Sequence, residues 1–80
     1  MSEDLRSKAH DVETTLRVGK GGIASVADEL ASQLDERELV KVKFLRSARG
    51  GTTSEALAEE LADAVDAELV ETRGHTGVFH

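Results

Sequence analysis

Apolar positions along the chain alternate between two repeats. From Thr14 to Val18, Leu16 and Val18 share one side of an extended segment and Arg17 takes the other, which is the two-residue period of a strand. Ile23, Val26, Ala27, Leu30 and Leu34 then recur at helical spacing, predicting a helix from Ile23 to about residues 33–34 with Asp28, Glu29 and Gln33 toward solvent. Glu38–Leu45 gives the clearest strand, because Val40, Val42 and Phe44 alternate with Lys41 and Lys43. Leu57, Leu61, Ala64 and Val65 predict a helix over Thr53–Asp66, with Thr52 and Glu55 spaced as a capping box at its start. Between these two elements, residues 46–52 have no apolar period and hold two glycines, so a mobile loop is expected. Leu5, Ala9 and Val12 predict a short amphipathic helix over residues 2–12, with Arg6, Lys8 and His10 on its surface. Glu68–Arg73 reads as a strand, residues 74–77 as a turn and Val78–His80 as a short last strand. The order is α-β-α-β-α-β-β, an α/β class. Its strand-helix-strand repeats imply partly parallel pairing, and the terminal hairpin makes a mixed four-stranded sheet.

The junction Val18-Gly19-Lys20-Gly21-Gly22-Ile23 joins the first strand to a helix start with no Ser, Thr, Asp or Asn immediately before Ile23. Glycine allows positive φ and close backbone approach. The first amides of a helix lack internal partners and lie at the positive end of its dipole. Such a turn suits a phosphate, with Lys20 adding a point charge. An ordinary reading stays open beside it: Gly22 as a tolerated cap, with water on the remaining amides.

Eighty residues with 39 % apolar content make one small core, built from Leu, Val, Ile and Ala because Phe44 and Phe79 are the only aromatics. The absence of cysteine excludes disulfides, thiol nucleophiles and cysteine metal sites. His75 and His80 have no further ligands beside them, so no metal is expected. No leader and no apolar run near the length of a bilayer span is present, and a cytoplasmic location is the expectation. A net charge of −6 argues against nucleic acid until its distribution is read. Arg37, Lys41, Lys43, Arg46 and Arg49 are followed from Gly50 to Thr72 by seven acids and no base. That segregation permits a basic face on an acidic protein. Lys41 and Lys43 on one strand face suit bound phosphate or, equally, a solvated sheet edge.

Three stretches in order carry a resemblance to a known family: Leu5-Arg6-Ser7-Lys8-Ala9-His10, Val18-Gly19-Lys20-Gly21-Gly22-Ile23 and Glu38-Leu39-Val40-Lys41-Val42-Lys43-Phe44. Together they resemble the CRM domain, the YhbY-like RNA-binding domain of chloroplast RNA splicing and ribosome maturation, over residues 5–79. The resemblance implies a fold similar to the C-terminal domain of bacterial translation initiation factor three. It also implies contact with RNA at the Gly-x-x-Gly loop, which falls on Gly19, Lys20, Gly21 and Gly22. The family is generally basic, whereas this chain is acidic. The acid excess and single Met suit a high-salt cytoplasm.

The function expected is non-enzymatic binding of ribosomal RNA, or a precursor of the large subunit, by a monomer without cofactor. Its acting groups are Arg17, Gly19, Lys20, Gly21, Gly22, Lys41, Lys43, Arg46 and Arg49. The alternative is a protein-interaction module whose acidic Glu55–Asp66 helix docks on a basic ribosomal protein. The glycine turn lacks the Gly-Lys-Ser/Thr of a nucleotide-binding loop, and no acid–base–nucleophile set accompanies it.

Overall fold

The computed structural model describes residues 7–80. Residues 7–9 are helical and residues 10–12 are turn and irregular backbone, so the helix expected to reach Val12 ends at Ala9, while residues 2–6 of that expectation lie outside the described residues. The following elements are β1 (Thr14–Val18), α1 (Ala24–Glu36), β2 (Val40–Phe44), a 3₁₀ turn (Arg46–Ala48), α2 (Ser54–Ala64), β3 (Leu69–Arg73) and β4 (Thr76–Phe79). The sheet order is β1-β2-β4-β3. β1 and β2 run parallel, while β4 lies antiparallel to both β2 and β3. The mixed four-stranded α/β arrangement therefore agrees with the hydrophobic pattern.

β2 sits inside the sheet and buries Val40, Val42 and Phe44 completely. On that side α1 supplies Val26 and Leu30, and α2 supplies Leu57, Ala58, Leu61 and Ala62. α1 covers β1 and β2, while α2 covers β3 and β4. The opposite side of the sheet carries a smaller cluster of Ala9, Leu39, Val70 and Val78, with Val12 packed against it. The N-terminal segment thus covers only part of this second face.

Four details depart from the sequence reading. Residues 46–48 are not open loop: Ala48 N–H donates to Leu45 O and Arg49 N–H to Arg46 O, while Ala48 packs against the main core. A single 3₁₀ turn is too short to leave a period in the sequence. The cap of α2 is Thr53, whose hydroxyl accepts from Ala56 N–H at 3.1 Å, so Thr52 and Glu55 are not its capping box. The buried stripe runs through Leu57, Ala58, Leu61 and Ala62, and Ala64 is exposed. Finally, β4 starts at Thr76, and Gly74 at φ 58 turns the hairpin tightly. Gly77 can then lie inside the sheet. A Cβ there would stand 3.3 Å from Ala58 Cβ and 3.4 Å from the Phe44 ring, so its missing side chain lets α2 come close.

Because the Thr53 cap satisfies one of the first amides of α2, Thr53→Ala is expected to cost about 1 kcal/mol. A urea unfolding curve reads this as a lower midpoint with an unchanged slope.

Candidate nucleic-acid interface

Parallel strands end at the same side of a sheet, and here two loops leave from that side. Leu45 N–H donates to Val18 O at 2.8 Å, holding the segment after β2 against the end of β1. Phe44 N–H donates to His75 O at 2.7 Å, which brings the β3–β4 turn to the same end. Gly19–Gly22, Arg46–Arg49 and Gly74–His75 therefore gather at one pole.

Gly22 N–H donates to Gly19 O at 3.0 Å, closing a turn with Lys20 and Gly21 at its exposed tip. The positive φ belongs to Gly22, at 74°, whereas Gly21 has an ordinary φ. The space beside Gly21 is nonetheless tight, since a Cβ there would meet Ser25 Cβ at 3.2 Å. Ile23 is already helical and α1 has no side-chain cap. Two amides of its first turn are used internally, Ser25 N–H to Gly22 O and Val26 N–H to Ile23 O. Among the described residues, the amides of Ile23 and Ala24 have no partner, so the free donors are fewer than the sequence suggests but remain next to Lys20.

The sheet face away from α1 and α2 carries the other bases. Cα pairing aligns Arg17 with Lys43, Lys43 with Thr76, and Thr76 with Arg73. Residues opposite one another on neighbouring strands point to the same side. Val18 and Phe44, the next pair along, are both in the main core, which fixes Arg17 and Lys43 on the far side. Arg17, Lys43 and Arg73 are exposed, while Lys41 is only half-buried beside the covered Val78. The acids of α2, Glu59, Glu60 and Asp63, are exposed on the helical side of the domain. The bases at 17, 41 and 43 thus share one face, and those at 20, 46 and 49 belong to the loops at its end.

Not every predicted base is equally available. Arg46 is exposed, but Arg49 Nε donates to Phe44 O at 3.2 Å and is half-buried. Arg49 also forms part of a cleft of about 240 Å³ with Thr52, Ser54, Glu55 and His75, where Ser54 Oγ is 3.3 Å from His75 Nδ1. Glu55 puts a carboxylate in the same wall. Among the described residues, the only Lys or Arg ion pair is Lys8–Glu38 at 3.0 Å, while the imidazole of His10 lies 3.7 Å from the Glu71 carboxylate, so no carboxylate neutralises Arg17, Lys20, Lys43 or Arg46 at contact distance.

Sequence reasoning missed Arg73. Its Nη1 donates to His10 Nδ1 at 3.0 Å, placing a guanidinium at the end of the Arg17–Lys43 row. Its position as last residue of a strand was visible, but a register irregularity between Leu69 and Glu71 hides which face it takes.

Comparison with known proteins decides what this arrangement belongs to. Residues 2–80 match the CRS1 / YhbY (CRM) domain. The chain belongs to the CRM domain family. This CRM domain is 44 % identical over 75 residues to a probable RNA-binding protein of Methanocaldococcus jannaschii, covering 94 % of this chain and 56 % of that protein. It thus spans little more than half the length of that relative. It is 36 % identical over 77 residues to a probable RNA-binding protein of Bacillus subtilis, covering 95 % of this chain and 78 % of the relative. Its fold is similar to the solution structure of a hypothetical protein of Staphylococcus aureus, a candidate RNA-binding protein. The TM-score is 0.73 at 32 % identity, covering 95 % of this chain and 78 % of the other.

Proposed function

We propose that this CRM domain binds ribosomal RNA during assembly of the large ribosomal subunit, holding the phosphate backbone and turning nothing over. The Gly19–Gly22 loop supplies amides and Lys20, while Arg17, Lys43 and Arg46 supply unneutralised charge nearby. The observation that carries this reading is the separation of charge, with bases on one sheet face and its end loops and the acids of α2 on the other side. The RNA-binding names of the relatives agree with it.

The mode of recognition follows from the aromatics. Phe44 and Phe79 are both completely buried, so neither can stack on a base. Binding of backbone and shape is left as the mechanism. A binder using about four phosphates of a single strand has a log K against log salt slope of about −3.

The test is binding of in vitro transcribed large-subunit ribosomal RNA, with small-subunit ribosomal RNA as competitor, across a salt series. Preferential retention of the large-subunit RNA with a slope of about −3 is expected. Equal competition by both RNAs, or no retention of either, rejects the proposal.

A further inference from the structure

The face opposite α1 and α2 is not uniformly basic. Its charge falls in rows set by strand register, and the rows differ. One row reads Arg17, Lys43, Thr76, Arg73 from β1 to β3. The adjacent row reads Thr14, Lys41, Val78, Glu71. In that second row Val78 is buried beneath Ala9 and its neighbours, and the Glu71 carboxylate faces His10. The N-terminal segment therefore closes the second row over its middle. The first row stays open, and His10 borders it by accepting a hydrogen bond from Arg73.

Resting on the reading above, we infer that the Arg17–Lys43–Thr76–Arg73 row is a track for a single RNA strand crossing the sheet at right angles to the β-strands. Three strand spacings separate Arg17 from Arg73, about 14 Å in all. Three cations over that distance exceed what one phosphate can engage and suit successive phosphates of one strand. Among the described residues none of the three has an acidic partner within 4 Å, so their charge is open to an anionic polymer. Thr76 Oγ1 donates to Arg73 O at 2.8 Å, which holds the β3 end of the row in place. No Phe, Tyr or Trp lies on this face, and the His10 ring beside it is held by Arg73 at the end of the row, so the strand is held by its backbone with bases outward. Lys41, although next but one to Lys43 on the same strand, belongs to the covered row and lies off the track.

The test uses single-stranded oligouridylate, whose binding to the full chain is followed against salt for Arg17→Ala, Lys43→Ala, Arg73→Ala and Lys41→Ala. Each of the first three should flatten the log–log slope by about 0.7, the value for one lost single-strand phosphate contact. Lys41→Ala should leave the slope as in the wild type, and Arg73→Lys should restore what Arg73→Ala removes. Circular dichroism checks that each variant is folded, and Arg73→Gln replaces any alanine variant at that position that is not. An unchanged slope for Arg73→Ala or Arg73→Gln, or an equal loss for Lys41→Ala and Lys43→Ala, overturns the track. Wild-type protein that holds ribosomal RNA but not oligouridylate also overturns it while leaving the proposed function standing. Failure to hold either RNA removes that function itself.

Discussion

Gly21→Asp should remove most RNA binding from a protein that remains folded. The new carboxylate would stand at the tip of the turn, beside Lys20 and ahead of the unpartnered Ile23 and Ala24 amides. Its Cβ needs Ser25 to yield by a few tenths of an ångström, because the nearest approach is 3.2 Å. The backbone itself accepts the change, since positive φ is confined to Gly22 in this turn. A carboxylate near a helix N-terminus is favourable for the helix by about 0.3–1 kcal/mol. That gain offsets the crowding against Ser25, so the fold is kept, but the place of a phosphate is taken by another anion. Losing charged hydrogen bonds of about 1.5–3 kcal/mol corresponds to at least about a tenfold weaker Kd. Gly21→Asn has nearly the same shape without the charge and should recover much of that loss. The defect of Gly21→Asp should persist at molar salt, where Lys43→Ala has converged on wild type through screening. Wild-type affinity for folded Gly21→Asp at every salt would make the turn a connector only.

The second large effect is on the fold. Phe44 is completely buried at the end of β2, and its ring borders the space left open at Gly77. Phe44→Ala is expected to cost about 3–5 kcal/mol. A domain of this length commonly has a total stability of about 4–12 kcal/mol, so the loss is a large share of it. The midpoint of urea unfolding should fall sharply, and heating should unfold the variant well before wild type. The consequence reaches the interface because the Phe44 backbone joins two of its parts, accepting from Arg49 Nε and donating to His75 O. Phe44→Leu leaves a smaller cavity than the alanine variant and should lose clearly less. Similar midpoints for the alanine and leucine variants would show that ring volume at this position does not hold the core.

Most elements were legible in the sequence because each buries one side at a regular period. β1 was read with its observed bounds, and β2 was recognised from Val40, Val42 and Phe44 alternating with two lysines. Legibility failed where structure is set by single contacts. The cap of α2 lies at Thr53 and not Thr52, and hydroxyl identity alone cannot distinguish adjacent threonines. The 3₁₀ turn at 46–48 is stabilised by two backbone hydrogen bonds and one alanine against the core, which leave no periodic trace. At the candidate interface, the sequence places the glycine turn between β1 and α1 and Lys43 on the sheet face away from the helices, where the structure has them. It treated Lys41 and Lys43 alike, because alternation reports the face of a strand and not what covers each position. Arg73 needed the register of a hairpin whose β3 strand is irregular at Leu69–Glu71.

Placing β4 between β2 and β3 has a consequence for the order of events during synthesis. β1 and β2 can meet as soon as β2 has followed α1 out of the ribosome, since they are linked by a short crossover. β3 emerges before β4 but has no neighbour in the sheet until β4 inserts beside it. Until then Val70 lacks the Val78 it packs against, and α2 has only α1 and β2 to cover its apolar side. Docking of Thr76–Phe79 then completes the sheet and brings Arg73 into line with Lys43 in the same event. A partly emerged chain therefore presents Arg17 and Lys43 without the far end of their row.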